Sequence, residues 1–376
     1  MNEPRSSEIE PRTFRKVAVV HDWLTGMRGG EQVLEGILEL FPAAEVFTLF
    51  HFPGAVSPVI ESRRIHVSWL QGLASRIADY RVLLPLYPAA VRRWRFNDFD
   101  LVLSSSHCVA KGVDPKSALH VSYCHTPMRY VWDRFDDYFP PNRPLRRLVM
   151  KVIAPFLRRW DVATASRVTA FAANSEFVRE RIRRYYRRDA EVIHPFVDRA
   201  FLETPLEAAR DDYHLVVSAL VPYKRVELAV AAATAAGKRL RILGGGPLLE
   251  QLRATAGPNI EVAGPVSRAR IIEALSRARS LILPGIEDFG ITPLEAMAVG
   301  TPVVAFRAGG ALDTVIDGVT GIFFDQPSVE SLRAAMEAAE RREWDRGALR
   351  AHAATFSRER FQERLMSLIS ATAGTA

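Results

Sequence analysis

Cysteine is scarce in this sequence: only Cys108 and Cys124 occur among 376 residues. Two cysteines cannot build a disulfide framework, and each lies in or beside an apolar segment, so we expect buried, reduced thiols in a cytoplasmic protein. No run of about 18 apolar residues is present, so no transmembrane helix is predicted. The first residues, 1–16, are polar and lack the apolar core of a signal peptide, so no secretion signal is predicted either.

Several motifs of catalysis and metal binding are also missing. No group of histidines and cysteines has the spacing of a metal site. The sequence contains no GxSxG nucleophile elbow, no P-loop and no GxGxxG dinucleotide fingerprint. A DxD pattern at 98–100 matches that of metal-dependent sugar transferases, but it precedes a predicted strand, whereas ligands bind beyond the carboxyl ends of strands. We therefore interpret it as a turn and predict neither a metal ion nor a bound cofactor.

The composition is that of a basic, folded protein. Lysine and arginine number 50 against 43 acidic residues, which gives a formal net charge of +7, and 48% of the residues are apolar. The length suits two domains rather than one core. A basic surface favours anionic partners. A phosphorylated substrate or an anionic membrane would each explain the charge, whereas no nucleic-acid-binding motif is visible.

Short apolar runs alternate with helical patterns along nearly the whole chain. The predicted strands are 16–20, 45–50, 101–106, 119–124, 168–174 and 191–195, then 215–220, 239–245, 260–264, 280–284 and 302–306. Continuous apolar strands separated by helices indicate parallel sheets, and hence two doubly wound α/β domains. The boundary is predicted near 197–212, in a segment rich in proline and charge, and an amphipathic helix is predicted over 357–371.

The segment 287–295, EDFGITPLE, combines two glutamates with a predicted helix start. Glu287 follows the strand 280–284, at the edge where open α/β sheets bind ligands, so it is either a solvated loop acid or a site residue. Glu295 has two interpretations. It could close a capping box with Thr292 as N-cap and Pro293 at the first helical position, or it could bind a ligand.

Four further segments place chemistry at strand ends or helix starts. Gly29 and Gly30 precede a helix beginning near Glu31, where a backbone can approach a phosphate, although a plain turn fits equally well. His125 follows the strand 119–124 and could be an ordinary core histidine or a ligand contact. Lys224 and Arg225 lie at a helix start, where positive charge is favourable only if an anion is bound there. The glycines at 244–246 suit tight packing or close ligand approach.

Taken together, these segments resemble the retaining glycosyltransferases of family 4, which have the GT-B fold. The resemblance covers about 16–370, and 287–295 is similar to the family's pattern of two glutamates separated by seven residues. HDWL at the first strand end, YCHTPMRYVWD, ANSEFVRERI and VPYKRVELAV resemble bacterial polysaccharide mannosyltransferases. The resemblance implies an acceptor-side domain over 1–200, a nucleotide-sugar domain over 201–355, and a last helix, 356–376, that crosses back to the first domain.

The resemblance also implies roles for individual residues. Glu287 and His125 would contact the transferred sugar, and Glu295 would bind the ribose. Contacts with the phosphates are implied for Lys224, for the loop at Gly29 and Gly30, and for the backbone amides of 289–291. A contact with the nucleotide base is implied for the segment at Val266. The implied donor-binding residues are Gly29, Gly30, Lys224, Arg225, Val266, Phe289, Gly290, Ile291 and Glu295. Family members often carry an arginine where this chain has Ala219, and Arg225 could supply that charge.

The implied reaction is metal-independent transfer of mannose from GDP-mannose to a glycan or lipid-linked acceptor in surface polysaccharide synthesis. Three alternatives stay open: a UDP-sugar donor, a GT-B-shaped sugar-nucleotide epimerase, and a non-enzymatic protein that binds glycans or membranes. The segment 143–160 places arginine and lysine beside apolar residues. It is therefore either a solvated helix or a peripheral contact with the inner face of an anionic membrane.

Overall fold

Two parallel β-sheets organise the protein. The computed structural model describes residues 14–77 and 79–375, and within them one sheet has seven strands and the other six. The first sheet contains β1 (Val17–His21), β2 (Glu45–Thr48), β3 (Ile65–Val67), β4 (Leu101–Ser106), β5 (Leu119–Cys124), β6 (Ala170–Ala173) and β7 (Glu191–Val192). The second contains β8 (His214–Val217), β9 (Leu240–Leu243), β10 (Ile260–Gly264), β11 (Leu281–Leu283), β12 (Val303–Phe306) and β13 (Gly321–Phe324).

Helices cover both sheets. The first sheet carries α1 (Gly29–Leu40), α2 (Pro58–Glu61), α3 (Gln71–Ala74), α4 (Tyr87–Val91), α5 (Phe135–Tyr138), α6 (Pro144–Ala165) and α7 (Glu176–Tyr186). After it come α8 (Arg199–Leu202), α9 (Val226–Ala235), α10 (Leu249–Thr255), α11 (Arg268–Arg277), α12 (Ile291–Ala298), α13 (Ala311–Thr314), α14 (Val329–Arg341), α15 (Arg346–Ala354) and α16 (Arg358–Thr375). Short 3-10 turns span Tyr80–Leu86, Ala110–Gly112 and Pro222–Lys224.

The strand orders are those of doubly wound sheets. They run β3-β2-β1-β4-β5-β6-β7 and β10-β9-β8-β11-β12-β13, and the pairings are parallel throughout. The predicted fold class, two doubly wound domains, is therefore confirmed. The strand order reverses beside β1 and β8, and ligands bind such sheets at the reversal.

Burial on both faces explains why the strands could be recognised from the sequence. In β1, Ala18 and Val20 pack into one apolar cluster, whereas Val17 and Val19 pack into the cluster on the opposite face. A strand covered on both sides needs apolar residues at successive positions rather than at alternate ones. The sequence analysis missed β3 and β13, which lie at the edges of their sheets, where pairing on one side requires no long apolar run.

The last helix, α16, packs against the first sheet and its helix α1. Phe361, Leu365 and Ile369 are buried in the same apolar cluster as the inner face of α1. The ring of Phe361 lies 5.3 Å from that of Phe196 and 5.5 Å from that of Tyr123. The chain therefore leaves the second sheet and returns to stabilise the first.

Three further expectations concern the N-terminal residues, the cysteines and membrane-spanning helices. Residues 1–13, which form most of the polar segment that predicts no signal peptide, lie outside the described residues. Both cysteines are buried with free thiols. Within 14–77 and 79–375, no helix combines the length and the apolar character needed to cross a membrane.

Truncating Phe361 should destabilise the first domain. We expect Phe361→Ala to lower the free energy of unfolding by about 3–5 kcal/mol, because a fully buried aromatic ring is lost and a cavity is left. Urea unfolding followed by tryptophan fluorescence measures this, since five of the six tryptophans precede residue 200. Phe156→Ala on the exposed face of α6 is the matched control and should change stability by less than about 0.5 kcal/mol. Equal effects of the two substitutions would contradict this account of α16.

Candidate active site

The starts of α1 and α12 meet between the two domains. A Cβ atom on Gly29 would lie 3.1 Å from Cδ1 of Ile291, the first residue of α12. Helix N-termini carry unpaired backbone N–H groups and a partial positive charge. Two of them close together make this part of the cleft favourable for an anion.

The helix in the segment 287–295 begins at a different residue from the one predicted. Gly290, with φ at +86°, is the N-cap of α12, and no side chain among the described residues caps this helix. The predicted capping box of Thr292 and Glu295 is therefore wrong. A positive φ at Gly290 starts the helix earlier than Thr292, so Glu295 lies beyond the first turn. The helix predicted near Glu31 likewise begins earlier, at Gly29.

Glu287 forms an ion pair with Lys224, and both side chains are 15% exposed. The loop after β11 reaches the loop after β8 because Gly285 has no side chain. A Cβ atom there would lie 2.8 Å from Cα of Lys224, which is closer than real Cβ contacts allow. The structure thus brings together two predicted site residues that are 63 positions apart in the sequence.

Asp288, which the sequence analysis did not identify, joins the two domains. Its carboxylate accepts hydrogen bonds from Arg129 and Arg181 of the first domain. Burial alone would raise the pKa of Asp288, but the charges of Arg129 and Arg181 lower it below its usual value. The backbone oxygen of Asp288 also accepts a hydrogen bond from the Ser175 hydroxyl. A single aspartate next to a glutamate gives no sequence signal for such a role, because its partners lie more than 100 residues away in the sequence.

Glu295 is buried on α12 and faces Arg268 at 3.8 Å. That arginine is also bound to Asp198 at 2.8 Å. Burial raises the pKa of Glu295 to about 7, and the charge of Arg268 offsets this only in part. The side chain can therefore be protonated near neutral pH, when it can both donate and accept hydrogen bonds.

His125 lies in a cluster of histidines at the carboxyl ends of β1, β4 and β5. Its ring is 6.4 Å from those of His21 and His107, and Nε2 of His125 lies 2.8 Å from Oγ of Ser105. Burial lowers the pKa of His125 well below its ordinary value, and the neighbouring histidines lower it further. Burial also lowers the pKa of His107 to about 3. Both rings are thus neutral at physiological pH.

Gly30 lies directly beside this cluster. A Cβ atom on Gly30 would lie 3.7 Å from His21 and 3.9 Å from Nε2 of His125. These are ordinary contact distances, so the protein itself does not exclude a side chain here. The missing side chain instead leaves the backbone at the start of α1 open to a ligand.

The other predicted site residues, Phe289, Val266 and Arg225, belong to the second domain. Phe289 is 3% exposed and stacks on His194 with the ring centres 5.6 Å apart. Val266 packs at the margin of the apolar cluster beneath β11. Arg225 adopts a left-handed conformation at the start of α9 with its guanidinium 5.7 Å from the Phe306 ring centre. Its Nη1 finds no hydrogen-bond partner among the described residues.

A cavity of about 240 Å³ lies between the domains next to Glu287. Its walls include Arg129, Arg134, Arg181 and Tyr223. It therefore adjoins the Lys224–Glu287 pair on one side and the first domain on the other. In the described part of the chain, no three histidine, cysteine or acidic side chains are arranged to hold a metal ion.

The burial of Glu295 should make the protein's stability depend on pH. A carboxyl group whose pKa is raised on folding stabilises the fold below about pH 4.5, and this contribution is lost as the pH rises through about 7. The unfolding free energy of Glu295→Gln should therefore rise relative to wild type between pH 5 and 8, by about 3 kcal/mol. Urea titrations at a series of pH values measure the difference.

Glu363→Gln, on the exposed side of α16, is the control for removing one carboxylate and should show no such pH-dependent difference. A flat difference for Glu295→Gln as well would contradict the raised pKa.

Comparisons with known proteins agree with this geometry. The sequence model of Glycosyltransferase Family 4 matches residues 28–201, and the model of Glycosyl transferases group 1 matches residues 199–360. The chain is 34% identical over 139 residues to the GDP-mannose-dependent alpha-(1-6)-phosphatidylinositol monomannoside mannosyltransferase of Mycolicibacterium smegmatis. This alignment covers 32% of this chain and 36% of the relative. It is 36% identical over 129 residues to the D-inositol 3-phosphate glycosyltransferase of Geodermatophilus obscurus, covering 33% and 29%.

The chain therefore spans about a third of the length of these curated relatives. Among solved structures, Anabaena HepE in complex with UDP has a TM-score of 0.68 at 18% identity, covering 95% of this chain and 100% of that one. Sucrose-phosphate synthase of Thermosynechococcus elongatus has a TM-score of 0.71 at 16% identity, covering 96% and 100%. These likenesses establish the GT-B fold. Because the two sequence models together match residues 28–360, the chain belongs over that range to the glycosyltransferases with a GT-B fold.

Proposed function

We propose that the protein transfers mannose from GDP-mannose to a glycan or lipid-linked acceptor, with retention of configuration at the sugar. The Lys224–Glu287 pair beside the starts of α1 and α12 is the observation that carries this proposal. A nucleotide sugar requires a site for a diphosphate next to a site for hydroxyl groups. A cation, two helix N-termini and a carboxylate meet here in that arrangement.

The pair also suggests how donor binding proceeds. In the absence of a ligand each charge satisfies the other, which avoids leaving an unpaired charge in a partly buried cleft. When the donor enters, the diphosphate takes Lys224 as its partner, and the sugar hydroxyls take Glu287. The exchange replaces one ion pair by two sets of ligand contacts.

Transfer breaks the bond between the anomeric carbon and the diphosphate oxygen. The departing diphosphate keeps the electron pair, and an acceptor hydroxyl forms the new bond to the anomeric carbon. The proton of that hydroxyl passes to the departing diphosphate oxygen. Lys224, Arg225 and the helix N-termini stabilise the developing negative charge, and Glu287 orients the sugar. Glu295 lies on α12 and is assigned to the ribose, so the two glutamates are not the acid and nucleophile of a hydrolase.

The choice of GDP-mannose follows from the mannosyltransferase of Mycolicibacterium smegmatis and from the segments that resemble polysaccharide mannosyltransferases. The HepE structures, one with UDP and one with UDP-glucose, favour a UDP-sugar as the alternative donor. Retention of configuration rests on the resemblance to family 4.

Substituting the ion pair should abolish transfer without unfolding the protein. We expect Glu287→Gln and Lys224→Met each to reduce mannose transfer from labelled GDP-mannose at least about 100-fold, because each removes a contact to the reacting groups. A membrane lipid extract serves as the acceptor pool. Product formation is measured by chromatography, and the anomeric configuration by NMR. Glu250→Gln, at an exposed position of α10, is the matched control and should retain wild-type rates.

The other arms of this assay distinguish the alternatives. Near wild-type rates in both variants would contradict the assignment of the site. Transfer from UDP-glucose alone would contradict GDP-mannose but not the transferase. An epimerised sugar nucleotide formed without acceptor would favour the epimerase. An inverted product would contradict retention.

We further propose that the acceptor side of the protein contacts an anionic membrane through α6. The face of this helix that points away from the sheet carries large apolar side chains with 46–76% exposure: Leu145, Leu148, Val149, Val152 and Phe156. Their spacing places them on one side of the helix, opposite the buried Met150, Ala154 and Leu157.

The charges of α6 favour an anionic lipid surface as the occupant of this face. Lys151 and Arg159 are exposed, and the acid in the helix sequence, Asp161, is buried against Lys111 at 2.9 Å. Apolar side chains flanked by cations without an exposed acid are typical of helices that lie in a membrane interface. A lipid-linked acceptor would then reach the cleft from this surface.

Replacing the apolar face of α6 by acids should release the protein from membranes. We expect the double variant Leu148→Asp/Phe156→Asp to bind phosphatidylglycerol vesicles at least about tenfold more weakly than wild type, because it removes apolar burial and adds repulsion. Vesicle sedimentation at low and high salt measures binding. Leu312→Asp, at a 54% exposed position of the second domain, is the control and should bind like wild type.

Absence of salt-sensitive binding by the wild-type protein would contradict the membrane proposal. So would a finding that the double variant only converts a dimer to a monomer, since the face would then be covered by a second copy.

A further inference from the structure

The hydroxyl of Ser105 lies between two histidine rings. Its Oγ is 3.1 Å from Nδ1 of His21 and 2.8 Å from Nε2 of His125. Ser105 and His21 are buried. A hydroxyl has one proton, so it can donate to only one of these nitrogens. The other nitrogen must carry a proton and donate to the hydroxyl oxygen.

Glu31 determines which histidine donates. Nε2 of His21 lies 3.6 Å from Oε1 of Glu31, and the other oxygen of Glu31 accepts the backbone N–H of Arg28 at 3.0 Å. Burial would raise the pKa of Glu31, but the His21 ring lowers it overall, so the carboxylate is charged. A bare ring nitrogen facing this charge would be repelled, whereas an N–H is attracted. When the His21 ring is neutral, its proton therefore lies on Nε2, and its Nδ1 accepts a hydrogen bond from Ser105.

The direction of hydrogen-bond donation at Ser105 then determines the proton position on His125. Because Ser105 has donated its proton to His21, its oxygen accepts from His125, whose proton must lie on Nε2. A doubly protonated His21 would reverse this order, so the tautomer is measured at pH 8, above the ordinary pKa of histidine.

We propose that Glu31, His21 and Ser105 are positioning residues that hold His125 as the Nε2–H tautomer, so that its Nδ1 accepts a hydrogen bond from a hydroxyl group of the bound sugar. The recognition part rests on the proposed function, whereas the tautomer does not. The arrangement links the start of α1, where Glu31 lies, to the sugar-facing histidine through buried groups alone. It thereby selects a ligand that donates a hydrogen bond at this point over one that only accepts.

Nitrogen NMR of the protein labelled with ¹⁵N-histidine tests the tautomer directly, at pH 8 and without any ligand. The signals of His125 are assigned by their loss in His125→Gln. We expect an Nε2–H tautomer in wild type and a mixture of both tautomers in Ser105→Ala and Glu31→Gln. The chain offers a matched control in Ser104→Ala, since the Ser104 hydroxyl makes the corresponding 2.9 Å contact with buried His120 instead of His125.

Kinetics give the second measurement. Ser105→Ala should reduce kcat/KM for the donor about tenfold, the size of one lost hydrogen bond, and Ser105→Thr should restore much of it because the hydroxyl returns. Ser104→Ala should leave the rate unchanged. An Nδ1–H tautomer in wild type, or equal NMR spectra of His125 in wild type and Ser105→Ala, would overturn the proposal. If the tautomer is confirmed but no sugar is transferred, the proposed function fails and the positioning stands.

Discussion

The half-buried carboxylate of Asp288 makes the contact on which the geometry of the cleft depends. It lies on the loop of the second domain that carries Glu287, and its partners Arg129 and Arg181 belong to the first domain. Separating the domains would break both of these partly buried ion pairs, which the solvent screens less than it screens surface pairs. Because the same loop carries Glu287 and leads into α12, the contact also brings the Lys224–Glu287 pair and the start of α12 to the first domain.

A second carboxylate fixes the first domain's side of the cleft. Asp22, at the end of β1, accepts hydrogen bonds from four successive backbone N–H groups of residues 107–110, at 2.6–2.9 Å. The loop after β4 is therefore held against β1, and the histidine cluster is positioned before any ligand binds. Such prior ordering reduces the entropy that binding must overcome. The contacts of Asp22 thus order the wall of the cleft that the first domain forms. The ion pairs of Asp288 hold the second domain's wall against it.

The electrostatics of this cleft suit a ligand with a diphosphate and several hydroxyl groups. Helix N-termini and basic side chains favour the anion, whereas Glu287 and a neutral His125 supply acceptors for hydroxyl groups. Burial keeps His107 and His125 uncharged, so these two rings do not compete with the basic residues for the phosphates. Arg225, whose Nη1 is unpartnered among the described residues, is the residue proposed to supply the charge of the family's frequent arginine, which is Ala219 in this chain. The groups of the cleft therefore have different roles, because burial leaves some of them charged and others neutral.

The sequence alone determined the fold class and the positions of most strands, because a parallel strand buried on both faces must be apolar at successive positions. It also indicated Glu287, Lys224, Gly29 and His125, since these residue types stand at strand ends and helix starts. It misassigned the start of α12, where a positive φ at Gly290 overrides the capping pattern of Thr292 and Glu295. Only the tertiary structure decided that Asp288 joins the domains and that Ser105 connects His21 to His125. These contacts link residues roughly 20 to 160 positions apart, and a local pattern cannot show which distant group will satisfy a buried charge or hydroxyl.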